Sequence, residues 1–184
     1  MSAAIEDNLN DFTKTIGTFQ CMKDDLDEGF YNGLKEIVNN AMKQVSDHTG
    51  KYLLNLHEHQ PDEDTLLKMI GNVPSSMSYE DECGDLPIRV AVHHKESVQY
   101  VPLLAKEGVK RKVLGGDDAR GGLLVANRNV LRFLVSKTGD NTHDAVYLNV
   151  MKKLRESNIL RKNDIKERGL LYWACNLVTS MRFD

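Results

Sequence analysis

This chain of 184 residues is poor in residues that brace a fold from outside: it has 4 Pro, 3 Cys and a single Trp. So little proline, with 41% apolar and 28% charged residues, excludes a disordered or low-complexity chain. Cys21, Cys83 and Cys175 are odd in number, widely spaced and free of any C-x-x-C pattern. They argue against a disulfide framework and for buried thiols in a reducing compartment. No apolar run approaches the roughly 20 residues of a membrane span. The start, Met1-Ser2-Ala3-Ala4-Ile5-Glu6-Asp7, lacks the basic and apolar regions of a secretion signal. An intracellular protein, cytoplasmic or nuclear, is expected. With five Phe and one Trp, its core must come mainly from Leu, Val, Ile and Met.

The net charge of -3 hides a division. Residues 1–85 carry 6 basic and 17 acidic side chains, a balance of -11, and residues 86–184 carry 18 and 10, a balance of +8. Two readings follow. The halves are solvated faces of unlike sign, or they meet head to tail, within one molecule or between copies.

Apolar spacing is helical throughout. Ile5, Leu9, Phe12, Ile16 and Phe19 fall on one stripe, and after the turn Lys23–Gly29 so do Phe30, Leu34, Ile37, Ala41 and Val45. The pair predicts an antiparallel hairpin over residues 1–61, closed by the stop cluster Ser46-Asp47-His48-Thr49-Gly50. A short helix over Lys51 to Leu56 would end at Gln60-Pro61. Asp62 then caps a helix ending at Gly71-Asn72, and Pro74 to Gly84 reads as an extended finger. Pro87 suits the first turn of a short helix to His93. Ser97 reads as the cap of Val98 to Lys106, with Pro102 bending that helix or weakening its first turn. Leu123 to Val135, Ala145 to Arg155 and Leu170 to Met181 complete the series, and no strand is required.

Three times a Leu-rich stretch closes on Gly or Asn and then a β-branched residue: Asn72-Val73, Gly108-Val109 and Asn158-Ile159. Each is followed, eleven to fourteen residues on, by glycine and an apolar pair, with Asp81, Asp118 or Asp164 in the intervening loop. Left-handed helix stops explain such residues. A unit recurring every 36 to 50 residues predicts a helical solenoid over residues 62–184.

Asp81-Glu82-Cys83-Gly84-Asp85-Leu86-Pro87-Ile88-Arg89-Val90-Ala91-Val92 resembles the opening of an ankyrin repeat, Asp-x-x-Gly-x-Thr-Pro-Leu-His-x-Ala-Ala. Val98 to Gly108 is similar to its second helix. Gly169 to Cys175 and Gly122 to Ala126 are weaker matches. The family's Thr and His are replaced by Leu86 and Arg89 in the best repeat. The resemblance implies about three degenerate repeats, protein–protein binding through fingers and a concave face, and no catalysis. Candidate fingers are Ser75–Asp85, Lys110–Arg120 and Thr138–Asp144, with Arg89 and His93 on the inner face. The expected core is Leu67, Ile70, Ile88, Ala91, Val101, Leu104, Leu124, Phe133, Val150, Leu154, Leu171 and Ala174.

Chemistry-bearing clusters are few. His57-x-His59 beside Asp62, Glu63 and Asp64 reads as a polar surface connection or, less economically, a metal site; zinc needs three or four fixed ligands. His93-His94 suits a helix C-terminus on electrostatic grounds alone; a pH-sensitive contact is the functional alternative. Gly115 to Gly122, after Lys110-Arg111-Lys112, is either a flexible contact loop or an anion site, its glycines freeing backbone N–H groups before a helix while Asp117 and Asp118 oppose a phosphate. Lys152-Lys153, Arg155, Arg161-Lys162, Lys166 and Arg168 form a basic cluster, which suits a solvated face, an acidic protein or nucleic acid. No catalytic triad or dyad, cofactor motif or metal set stands out. The sequence therefore reads as an all-α, non-catalytic interaction or assembly module. Its candidate contacts are Arg89, His93, Lys110, Arg111, Lys112, Asp117, Asp118 and Arg120, and its alternative is polyanion binding by the basic half.

Overall fold

The computed structural model describes residues 11, 14–18, 21, 27–112, 121–123, 130–137, 144–161 and 164, and among these it is helical with no strand. The all-α expectation holds. Asp27 opens helix α1 (Glu28–Leu54), its Oδ1 accepting from Gly29 N at 3.0 Å and Phe30 N at 3.2 Å. A carboxylate there satisfies amide groups that have no partner inside the helix. Residues 14–18 are also helical, and Ile16 lines a cavity of about 320 Å³ with Met42, Val45 and Pro74.

The expected stop at Ser46 to Gly50 does not occur: α1 runs through it to Leu54. Thr49 Oγ1 donates to Val45 O at 2.8 Å and the His48 ring Nδ1 meets Gln44 O at 2.8 Å, so these polar side chains fold back on the helix they were expected to break. Gly50 serves a different need. A Cβ there would collide with Cβ and Cγ of Tyr79, so its bareness lets the next segment cross close to α1.

Asn55 leads into the single turn α2 (Leu56–His59), which Gln60 ends at φ 42°. Asp62 caps α3 (Glu63–Asn72) as expected, accepting from Thr65 N at 2.8 Å and from its hydroxyl at 2.9 Å. The first part of the expected finger is instead a 3-10 turn, Pro74–Ser78, with Ser76 and Met77 buried beneath α1 and α3. Beyond it Asp81 organises a tight turn. Its Oδ1 accepts from Cys83 N at 2.9 Å and Asp85 N at 2.7 Å, while Gly84 takes φ 72°. Pro87 then starts α4 (Pro87–His93) at the expected place.

Ser97 does not cap the following helix. Its hydroxyl is buried and donates back to Ala91 O at 2.9 Å, closing the end of α4 instead. The chain enters α5 (Val101–Arg111) through a 3-10 turn, Val98–Tyr100, which puts Pro102 in the first α-helical turn, where its missing N–H is harmless. Gly108 lies inside α5 rather than stopping it, and Lys112 ends the helix at φ 51°. A Cβ on Gly108 would sit 3.0 Å from Gly121 Cα, so that glycine too is selected by a close approach. Lys110 and Arg111 are accordingly helical and not in a loop.

Leu123 lies in a turn, its carbonyl accepting from Val130 N at 3.1 Å; of the helix expected over Leu123 to Val135, the described part is α6 (Val130–Lys137), and residues 124–129 lie outside the described residues. Helix α7 (Asp144–Glu156) matches expectation. Of the three expected left-handed stops only Asn158 qualifies, at φ 58°. There Ile159 N donates to Leu154 O at 3.1 Å and Asn158 N to Arg155 O at 3.0 Å, a Schellman closure. Asn72 is helical, because Val73 ends α3 in a non-left-handed conformation.

Helices follow in pairs, α4 with α5 and α6 with α7, and like members touch: α1 packs on α4, α4 on α6, and α5 on α7. One apolar cluster runs from Leu53 and Leu56 through Ile70, Ile88, Val101 and Leu134 to Leu154 and Leu160. Ile70, Ile88, Ala91, Val101, Leu104, Val150 and Leu154 are buried as expected, whereas Leu67 is 36% exposed and Leu66 takes its place at 0%. Phe133 is half-buried, and Leu124, Leu171 and Ala174, like the expected helix Leu170 to Met181, lie outside the described residues. Cys21 and Cys83 are exposed, contrary to the buried thiols expected. Among the described residues, no helix is long and apolar enough to cross a membrane.

Two glycines of α1 give opposite expectations. Gly33 has nothing within 4 Å of an added Cβ, so Gly33→Ala should raise the unfolding free energy by about 0.5–1 kcal/mol. Gly50→Ala must displace Tyr79 and should lower it by about 1–3 kcal/mol. Urea titration of both variants decides the point, and stabilisation by Gly50→Ala would refute the close-approach role.

Candidate functional site

The expected contact residues separate onto two surfaces. Arg89 and His93 stand one turn apart on α4. Arg89 Nε lies 2.8 Å from Asp85 Oδ1, near enough for an ion pair but not aligned as a hydrogen bond. Arg89 thus ties α4 to the turn before it. His93 is exposed, its ring centroid 4.0 Å from that of Phe133 with the planes tilted by 54°. This contact joins α4 to α6.

A line of aromatic contacts continues towards the N-terminal helices. His94 stacks on His57, centroids 3.9 Å apart and planes 8° from parallel, linking α4 to α2. Tyr52 of α1 stacks on His59 at 4.2 Å and 8°. Each ring of the His57-x-His59 pair therefore lies flat against a different partner. That arrangement does not converge two ring nitrogens on one point, and among the described residues no group of three His, Cys, Asp or Glu is placed to hold a metal ion. The His57 ring lies 3.8 Å from Glu58, while its buried Nδ1 has no hydrogen-bond partner among the described residues. Burial, and then the neighbouring His57, holds the His94 imidazole below its ordinary titration range; Glu96 opposes the shift.

Lys110 and Arg111 belong to the second surface, a groove of about 580 Å³ crossing α3, α5 and α7. Its apolar floor includes Leu67, Pro102 and Leu103. Its cations are Lys68 from α3, Lys106, Lys110 and Arg111 from α5, and Lys153 from α7. Against these five stand two carboxylates, Glu63 and Glu107. Glu107 is only 3% exposed, and it is held by Arg111 Nε at 2.8 Å and Lys110 Nζ at 3.4 Å. Arg111 also reaches Gly71 O at 3.5 Å, so it bolts α5 to the end of α3 as much as it faces solvent. Lys106 and Lys153 are exposed and make no ion pair among the described residues. Lys112 is exposed at the end of α5; Asp117, Asp118 and Arg120 lie outside the described residues.

Sequence reading missed the buried role of Glu107, although its spacing of three and four residues from Lys110 and Arg111 is a legible helical pairing. It also missed Lys106 and Leu67 as groove residues, because Leu67 was assigned to the core. No sequence signal brings His57 to His94. The site holds no nucleophile–base pair and no carboxylate dyad among its residues; what it offers is an apolar floor with a cationic rim. No protein-family model matches the chain, and neither the curated proteins nor the solved structures give a match.

Two outcomes follow from these contacts. The folded chain takes up the His94 proton less readily than the unfolded chain, so its stability should fall as pH drops through 6.5, the ordinary value, and be unaffected by this group above it. Unfolding free energies at about pH 7.5 and 5 should differ less in His94→Gln than in the wild type; an unchanged difference would remove His94 as the cause. Glu107→Gln should destabilise by about 1.5–3 kcal/mol, since two cations lose their charged acceptor, and denaturant unfolding measures it.

Proposed function

We propose that this chain is a non-catalytic protein-interaction or assembly module, a short ankyrin-like helical solenoid of about three degenerate repeats behind an N-terminal helical hairpin. The observation that carries the reading is the succession of like helices: α1, α4 and α6 touch in turn, and α5 touches α7. Solenoids are built in this way, since no pair of short helices can shelter its own apolar face and each lends it to the next. The segment from Asp81 to Arg111 supports the same reading, with a carboxylate-organised turn, a short helix started by proline and a longer helix returning beside it. Degeneracy accounts for Asn158 being left-handed where Asn72 and Gly108, the other two expected stops, are not. A protein ligand would meet the α4 face at Arg89 and His93 and the neighbouring loops.

The groove cations and the +8 balance of residues 86–184 favour a second reading, polyanion binding. Binding assays on the full chain separate the two. The expected result is a protein ligand retained stoichiometrically by the wild type and reduced at least tenfold by Arg89→Glu/His93→Glu. Oligonucleotides should bind no more tightly than about 10⁻⁵ M, a non-specific level. Retention indifferent to those substitutions would sink the α4 face as the contact. Tighter, salt-sensitive oligonucleotide binding would establish the alternative.

A further inference from the structure

We infer that the groove across α3, α5 and α7 binds an acidic segment of a foreign protein that carries bulky apolar anchors. This rests on the reading of the chain as an interaction module and adds to it a second docking surface, with the chemistry of what docks there. The groove belongs to the layer of α5 and α7, not to the α4 face. Along α5 its lining follows one stripe, with Pro102, Lys106 and Lys110 four residues apart. From Pro102 to Arg111 that stripe runs about 14 Å, the length of about ten helical residues. A second cavity of about 310 Å³ shares Gln99 and Lys153 with the groove and continues past Ala145, Val146 and Asn149 of α7. The concavity is therefore extended, as a docked segment requires.

Apolar surface lies open along it. Leu67 is 36% exposed, and Pro102 and Leu103 are half-buried, although their neighbours Leu66 and Leu104 are fully buried. Surface of this kind within a charged rim takes up an aromatic or aliphatic side chain. The rim sets the sign of the partner. Five cations stand against Glu63 and Glu107, and Glu107 is buried and already held by Arg111 and Lys110. Glu63 is the exposed carboxylate that remains in the lining, beside Lys106 and Lys153, which are exposed and stand on α5 and α7. Carboxylates of an incoming segment complement that balance. Nucleic acid answers the same charge less well, because the described lining holds no aromatic ring on which a base could stack. Its phosphates would also leave the leucines and the proline unused.

Fluorescence anisotropy on the full chain with labelled synthetic peptides of about ten residues tests the groove. The first peptide spaces a Phe and a Leu four residues apart among glutamates. The second has lysines in place of the glutamates, and the third has alanines in place of the two anchors. The first should bind at about 10 µM in about 50 mM salt, and at least tenfold more weakly in about 500 mM. The second and third should each bind at least tenfold more weakly than the first. Lys106→Glu/Lys153→Glu should reverse the charge preference and favour the lysine peptide. Leu67→Gln/Leu103→Gln should bring the first and third peptides to equal affinity, since the anchors lose their seat. If the charge-reversed protein melts differently from the wild type, Lys106→Ala/Lys153→Ala takes its place and should lose the first peptide. Absence of binding at about 1 mM, three peptides held alike, or affinity indifferent to the groove substitutions overturns the proposal. A single-stranded oligonucleotide held more tightly than the first peptide, and lost in the same lysine variant, would instead assign the groove to nucleic acid. Salt-sensitive self-association in sedimentation velocity, lost in that variant, would assign it to a second copy; either result overturns the proposal. None of these outcomes touches the module reading, which stands or falls on a foreign ligand and the α4 face.

Discussion

Short helices that cannot stand alone are the constraint on which this structure depends. Helix α3 has 10 residues and α4 has 7, whereas isolated helices below about 12–15 residues are marginal in water. Their order has to come from burial against neighbours, and the arrangement of like against like provides it. Leu53, Leu56, Ile88, Val92 and Leu134 form one continuous apolar body with residues from α3, α5 and α7. Each fully buried Leu or Ile contributes about 1.5–3 kcal/mol relative to exposure. Losing one helix would expose the flank of the next, so stability is shared along the stack.

Glycine and serine do less stopping, and more fitting, than their local chemistry suggests. Gly50 and Gly108 are both inside helices, each opposite a segment that passes too close for a side chain. Ser97 is similarly turned inward, towards the carbonyl of Ala91. These roles belong to tertiary approach, which is why local propensity misassigns them. Where the determinant is local, as with the carboxylate of Asp62, the proline at 87 or the asparagine at 158, sequence and structure agree.

The same distinction explains how much of the candidate site was legible. Helical periodicity placed Ile70, Ile88, Ala91, Val101, Leu104, Val150 and Leu154 in the core, but it cannot say which of two adjacent leucines, Leu66 and Leu67, faces inward. The one-residue choice put Leu67 in the core and so concealed the floor of the groove. Arg111 was legible as a cation but not as a tie between α5 and Gly71, because that partner is forty residues away. Pairing of His57 with His94, and of His93 with Phe133, likewise depends on which helices become neighbours.

The contact between Gly108 and Gly121 has a consequence for both glycines. Gly121, at φ 56°, sits against the carbonyl of Ala105 on the helix that carries Gly108. Backbone touches backbone there, so the distance between the two segments is set by bareness on both sides. A side chain at either position would act as a wedge, prising the turn at Gly121 away from α5.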